Sequence, residues 1–518
     1  MKINFKSRKA LIGLVAFLGF GVTAGVVAVT TGGNANSSSS LTSNSTNSST
    51  NNSTNSTSNT PSNNEEQIIT DFEFSNGQFV NTAFPLGFTP SRFVDDNEGG
   101  FYAMGRLAEN NSTTKPQPAI VRVGEDFTPI WTLAIDLGYQ NSTTYSNNNN
   151  WRTRFHNGGL LENGDLLVFG EAVGYLLLSD NSTRVALGGI FSGESIPTTT
   201  NSVFFYGVVS QDGEFTLIDY ILTNNSFGDS YIADMYLLGN DEFVLVGRAY
   251  YDQGIFTGIT LPQNNQSSYI LHVSYQNDTL TTQNLFQFTS SINLFINRSF
   301  KDGVNLVIAG NATGSIAGIE NFDYGSNLSY GFLLSFDLEA WSLNWATPID
   351  SLKVDRNTDQ NGFINSYNVI LGHEDAYVML LQRRVNNNNV FTTYLVEVSK
   401  TGEVLGTQTL GEENTNSTYF IGRTVSGYFT LGNTTATTGI YASNGAEDLF
   451  LTIMNEDFEI TSFEIWGGNN LDAMQTWPTV LNNGTLIFGA YTNSTTGDFA
   501  EAFNKTTNTE ESFLIVLS

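Results

Sequence analysis

The sequence predicts an all-β fold: a seven-bladed β-propeller of four-stranded antiparallel blades, behind an N-terminal hydrophobic helix and a disordered stalk. Three observations carry this. A short phrase, a polar turn followed by an apolar run, recurs seven times: Asp96–Gly105, Asn163–Gly170, Asn240–Gly247, Asp302–Gly310, Glu374–Leu381, Val425–Gly432 and Asn482–Gly489. The run stops at Gly in six of the seven. A unit repeated at this spacing is what a propeller with long loops leaves in sequence. From residue 68 onward there is no long amphipathic helical pattern, only strand, turn and strand with Gly, Asn and Asp at the turns. The seventh unit, finally, stops one strand short, and a strand that would complete it lies ahead of the first unit.

The elements follow in chain order. Residues 1–31 form a membrane anchor or signal peptide: Lys2, Lys6, Arg8 and Lys9, then a charge-free apolar stretch, residues 10–29. About 20 apolar residues can cross a bilayer, and the positive flank predicts the N-terminus inside and the rest outside. The stretch reads as a retained single-pass anchor at the cell membrane. Cleavage and secretion are the competing reading, since Gly33 and Ala35 meet the small-residue rule. Residues 32–67 are nearly all Ser, Asn and Thr. With almost no apolar side chain to offset the entropy of ordering, they form a disordered linker. The N-x-[ST] sequons there, including Asn44, Asn47 and Asn55, and those in the body, such as Asn141, Asn311 and Asn493, are acceptors if the chain is a glycoprotein. A chain this rich in Asn, Ser and Thr also generates sequons by chance.

Residues 68–518 are the propeller. Each phrase supplies the second strand of a blade, a strand precedes it (Tyr231–Leu238, Phe363–Leu371), and two follow. Third strands include Val203–Val209 and Tyr330–Phe336, and fourth strands Phe215–Leu222 and Trp341–Thr347. Phe74–Pro85 resembles the outer-strand segment Ser399–Leu410 and is the donor that closes the ring, which removes free sheet edges. With strands lettered A to D from the channel outward, the A–B and C–D turns share one face and are short. The B–C connections on the other face are long, for example 171–202, 248–268 and 490–511. Long loops on a rigid scaffold are where binding sites usually sit. The stalk should leave from the short-turn face, with the long loops pointing away from the membrane.

Composition bounds the function. The chain carries 50 Asp+Glu against 21 Lys+Arg, a net −29, which argues against a nucleic-acid partner because phosphate affinity comes mostly from Lys and Arg. With no cysteine there are no disulfides, thiol chemistry or Cys-ligated metal. The three histidines, His156, His272 and His373, have no ligand spacing. Asp355, Asn357, Asp359, Asn361 and Gly362 have the oxygen-rich look of a calcium loop, but Gln360 and Ser366 stand where an EF-hand needs Gly and Glu, so a solvated turn is expected. The pairs Asp95/Asp96, Asp241/Glu242 and Glu412/Glu413 are expected at turns rather than as glycosidase carboxylates. Trp131, Trp345 and Trp466 fall on outer strands and should pack between blades. Trp151 and Trp477, near D–A connections or inner strands, could stack on sugars, though core packing is the expectation. No catalytic, cofactor or metal residue is assigned.

Gly467–Ser518 resembles the prokaryotic seven-bladed β-propeller repeats of the SBBP type. Those repeats show a double Gly and an acidic residue, a strand, a turn, an apolar strand ending in Gly, a loop and a further strand. The other units keep the rhythm but lose the double Gly and the acidic residue. The resemblance implies a propeller in an exported protein with a binding role, and says nothing of catalysis. Together these features predict an extracellular, membrane-tethered binding or adhesion module for a polysaccharide or surface protein. A structural surface-coat component is the alternative, and a carbohydrate-active hydrolase or lyase a further one. An adhesin should show an aromatic or apolar patch among its long loops.

Overall fold

In the computed structural model, residue 69 and residues 77–517 are described, apart from 109–115, 137–152, 174–183, 187–194, 198–201, 224–230, 262–266, 291–292, 321, 360–361, 385–390 and 415. The expected membrane span at 10–29 and the linker at 32–67 lie outside them, as does Trp151. Among the described residues no helix is long and apolar enough to cross a membrane.

Seven antiparallel sheets, each built on four strand positions, follow one another along the chain. Blade 1 is Phe88–Asp95, Phe101–Leu107, Gln117–Val123 and Pro129–Ala134. Blade 2 is Arg154–Leu160, Leu166–Val173, Ser202–Val209 and Phe215–Thr223. Blade 3 runs from Tyr231–Gly239 to Thr279–Ser290, blade 4 from Asn293–Asp302 to Ser342–Pro348, blade 5 from Phe363–Leu371 to Val404–Asn414, and blade 6 from Asn416–Arg423 to Ile460–Trp466. Blade 7 takes its outer strand from the N-terminal side: Gln78, Phe79 and Val80 pair with Val516, Ile515 and Leu514. The closing strand thus falls inside the segment expected from sequence, though shorter. Phe79 seats it, with ring contacts to Trp466, Phe499 and Phe513 at 5.9, 5.0 and 6.4 Å.

The second strands of all seven blades are the recurring phrases, and their apolar runs are fully buried because neighbouring blades cover both faces. Apolar clusters fill the seams, for example Leu167, Phe169, Phe204, Leu245 and Tyr269 between blades 2 and 3. Outer-strand tryptophans close the rim as expected. Trp131 Nε1 donates to Gln211 O of blade 2 at 2.9 Å, Trp345 Nε1 donates to Lys400 O of blade 5 at 2.7 Å, and Trp466 meets Phe79 of blade 7.

The inner strands carry a feature that the expected pattern lacked. In blades 1 to 6 the pairing of strand A with strand B skips one residue at the same level: Ser91, His156, Ala233, Asn297, Tyr367 and Tyr419. A β-bulge kinks the strand and re-aims the side chains around it. The Gly that ends the phrase explains how the kink fits. Gly105 pairs with Pro90 and Gly247 with Ile232, each just before the bulge. A Cβ at Gly247 would lie 1.9 Å from Tyr231 O, and one at Gly105 2.1 Å from Thr89 O.

Polar side chains at or beside the bulges lace the ring. Ser91 Oγ donates to Phe155 O at 2.8 Å, Asn157 Nδ2 to Ala233 O at 3.3 Å, and Asn297 Nδ2 to Ser366 O at 2.5 Å. Ser299 N donates to Asp234 Oδ2 at 2.6 Å, and Asn368 both donates to Ile421 O at 2.9 Å and accepts from Ile421 N at 3.1 Å. Met474 N to Asn433 Oδ1 and Asn482 N to Asp95 Oδ2, at 3.1 and 2.6 Å, complete the circuit. Each of the seven seams therefore holds a side-chain to backbone bond near the channel.

Candidate functional site at the channel mouth

Strand A of each blade starts on the long-loop side and ends at its A–B turn, so position along it gives depth in the channel. The turn-side half is lined by the ends of these strands, among them Leu160, Leu237, Phe300, Ile370 and Val480, together with Ile69. Ile69 is buried and bridges to blade 6: its N–H donates to Arg423 O at 3.2 Å and its carbonyl accepts from Val425 N at 3.1 Å. Ile69 therefore sits at the short-turn end of the channel.

That face is acidic and tightly tied. Asp241 Oδ1 accepts from Glu162 N at 2.7 Å, and Glu162 Oε1 accepts from Asn240 N at 2.8 Å. Asp95 joins blade 1 to Asn482 of blade 7, and Asp96 accepts from Gly100 N at 2.8 Å and lies 3.3 Å from Arg122. Lys400 bridges Asp302 of blade 4 and Asp375 of its own blade, at 2.9 and 2.7 Å. Asp96 and Asp241 thus sit in A–B turns as expected, while Asp95 and Glu242 are the strand residues that flank those turns; the side chains of Glu412/Glu413 lie outside the described set. Arg356 to Asp359 likewise form a turn, with Asp355 Oδ1 accepting from Asn357 N at 2.9 Å, while Gln360 and Asn361 lie outside the described residues. Among the described residues no group of three potential metal ligands occurs.

Midway along the channel, Asp234 of blade 3 receives Arg92 of blade 1 at 2.7 Å and Arg298 of blade 4 at 2.6 Å. Beyond this belt, at the long-loop end, lies a cavity of about 310 Å³. Its walls are Arg154 and His156 (blade 2), Tyr231 and Arg248 (blade 3), Asn297 (blade 4), Asn365, Ser366 and Tyr367 (blade 5) and Trp477 (blade 7). In a chain of net −29, the described residues of this lining include two arginines and no carboxylate.

Local sequence explains the wall. His156, Asn297 and Tyr367 are the bulge residues themselves. Blade 7 has a break in place of a bulge: its inner strand is split into Asp472–Met474 and Thr479–Val480, and Gln475 and Thr476 both donate to Gly489 O. Pro478 cannot continue the ladder and holds Trp477 extended, so the indole lines the channel instead of packing in the core. Arg298 lies 4.5 Å from the ring centre of Trp477, and Tyr367 stands 6.3 Å away at 42°.

His156 and Glu171 are both buried, 3.5 Å apart. Burial, reinforced by Arg154 and Arg248, holds His156 well below the ordinary imidazole range, so it is neutral at physiological pH. His272 pairs with Glu242 at 3.1 Å and His373 with Glu456 at 3.1 Å, each in another blade, so the three histidines form no common site. Ser366 Oγ, His156 Nδ1 and Arg248 Nε are buried without a hydrogen-bond partner among the described residues. The chemistry assembled here is that of anion and polar-ring recognition: guanidinium forks, amides, a hydroxyl and two aromatic faces.

Exposed large apolar side chains occur elsewhere. Ile130, Leu238, Val304, Val404, Leu405 and Val425 lie at the short-turn face and Leu86 on the long-loop side. Among the described residues the expected apolar patch on the long loops is therefore absent.

No family model matches the chain, and no curated protein does either. Among solved structures it is similar to the WD40 domain of SCAP from fission yeast, at 8% identity and TM-score 0.37, covering 86% of this chain and 98% of that one. It is also similar to the β-propeller domain of Vanderwaltozyma polyspora Nup133, at 8% identity and TM-score 0.28 with 69% and 97% covered. A B. megaterium levansucrase variant matches at 11% identity and TM-score 0.27, with 67% and 87% covered. Likenesses this distant say nothing about what this chain binds or does.

Proposed function

We propose that the chain is an exported, membrane-tethered propeller that works as a cell-surface binding module, holding a polysaccharide at the long-loop end of its channel without turning it over. Membership of the SBBP-type repeats, resembled in blade 7, is part of this proposal. The observation that carries it is the mouth cavity, where polar, cationic and aromatic side chains from five blades converge. Such a concave site with few, convergent polar groups is the usual form of a binding pocket. The polar lining favours a sugar ligand over a protein surface. The basic segment before residues 10–29 supports export and tethering.

The test uses the full chain in mild detergent and cell envelopes isolated from the source organism. The chain should co-sediment with envelopes, and R154Q/R248Q should abolish this while the variant retains its circular dichroism. Equal sedimentation of both proteins would overturn the reading. Protease digestion of intact cells should remove the propeller and leave the residue 10–29 segment in the membrane fraction.

A further inference from the structure

We infer that the mouth cavity is built for an acidic sugar: one hexuronate residue of a polysaccharide, its carboxylate held between Arg154 and Arg248 and its ring against Trp477 and Tyr367. The inference rests on the proposed binding face and narrows its ligand to one class.

Charge comes first. The chain has more than two acidic groups for each basic one, yet the described residues that line its mouth cavity include two arginines and no carboxylate. Glu171 packs on His156 at 3.5 Å, and Asp234 lies in the mid-channel belt. Asp234 is already committed to Arg92 and Arg298. The Arg248 guanidinium lies over Tyr231 and Phe295, at 5.7 and 5.2 Å, with Nε unpaired. Such a planar fork, fixed by aromatic faces, suits a bidentate carboxylate.

Shape and the remaining polar groups then select a sugar over a bare anion. Trp477 is pinned by Arg298 at 4.5 Å and angled at 42° to Tyr367, which gives an aromatic corner for the apolar face of a pyranose. Burial first, then neighbouring Tyr419, pushes the Tyr367 hydroxyl up to about 12, so it remains an uncharged donor. Asn297 Oδ1, the Asn365 amide and Ser366 Oγ, which has no partner among the described residues, offer the mixed donors and acceptors that ring hydroxyls need. At about 310 Å³ the cavity has room for one residue, at the small end of ligand pockets of about 300–1,000 Å³. A carboxylate-bearing residue therefore docks end-on, with the rest of the polymer leaving toward the long loops.

Calorimetric titration of the full chain with trigalacturonate, galacturonate, galactose and sodium sulfate tests this. Trigalacturonate should bind saturably, galacturonate more weakly, and galactose not at all. R248Q and W477L should each weaken trigalacturonate at least tenfold, with R248K in between. Should W477L misfold, the R248Q and R248K pair still decides the matter. Binding of galactose as tight as that of galacturonate, sulfate displacing trigalacturonate at equal concentration, or indifference to R248Q would each overturn the inference. Envelope binding by the same protein separates the two ideas. If it persists without uronate binding, the acidic-sugar inference alone fails; if it is absent, the binding-module reading fails.

Discussion

Arg298 lies over the Trp477 ring across the channel, guanidinium carbon 4.5 Å from the indole centre, although they belong to blades 4 and 7. The same guanidinium reaches Asp234 of blade 3 at 2.6 Å. One side chain thus ties the ionic belt in mid-channel to the aromatic wall of the mouth cavity. A change in the belt should be felt at the cavity.

Asp234 is the single carboxylate for two arginines, and it is 4% exposed. Asp234→Ala leaves both cations uncompensated in a buried site, which typically costs about 3–5 kcal/mol. Urea unfolding should show that loss, and Trp477 fluorescence should change in the folded variant as Arg298 is released. Arg92→Met, which leaves the Arg298 pair intact, should cost less.

Gly247 stands against the bulge of blade 3, where a Cβ would meet Tyr231 O at 1.9 Å. Gly247→Ala must push the backbone apart, a change of about 1–3 kcal/mol for overpacking. Gly484→Ala, at a turn where a Cβ meets nothing within 4 Å but φ is +85°, tests strain alone. Thermal unfolding should be lowered in both, but only Gly247→Ala should also disturb ligand binding, because Tyr231 lines the cavity.

Phe79 holds the closing strand by three ring contacts. Phe79→Ala should cost about 2–3 kcal/mol, less than a fully buried Phe because the residue is only partly buried. Hydrogen exchange should rise first in Phe513–Leu517, the strand it covers.

Burial, with Asp472 nearby, pushes the Asp448 carboxyl up to about 6, against an ordinary 3.8. The folded state then binds this proton more tightly than the unfolded state does. This group's contribution therefore favours folding increasingly as pH falls through 6 toward 4, and the benefit is lost as pH rises through 6. Asp448→Asn keeps an acceptor for Asn444 N–H and removes the charge. It should raise stability at pH 7.5 by about 1–2 kcal/mol and change it little at pH 4.5. Melting curves at the two pH values check this; an equal effect at both would contradict it.

The propeller was legible because strand B announces itself seven times, and because Phe74–Pro85 matches an outer-strand segment. Strand A was harder to read. Its bulge adds one residue without a distinctive composition: Ser91, His156, Ala233, Asn297, Tyr367 and Tyr419 share no chemistry. The signal lay on the partner strand, in the Gly that ends the phrase, which marks where strand A kinks. Recognising that would have placed His156 and Asn297 beside the channel; the blade 5 phrase ends at Leu381 and gives no such mark for Tyr367. Trp477 was noted for sugar stacking but expected in the core, since Trp-Pro next to a short apolar pair does not show that the inner strand is broken there. Arg154 and Arg248 meet only because consecutive blades rotate their strand ends toward one axis, a relation between distant residues that spacing does not reveal.

The central claim, that the long-loop mouth of the channel is the binding site, is tested most directly by oxidative footprinting of the full chain with and without isolated cell envelopes. Trp477, Tyr231 and Tyr367 should be protected on binding, while Tyr275 near the short turns stays unchanged. Protection of Tyr275 with Trp477 still open to oxidation would place the ligand on the opposite face and contradict the account.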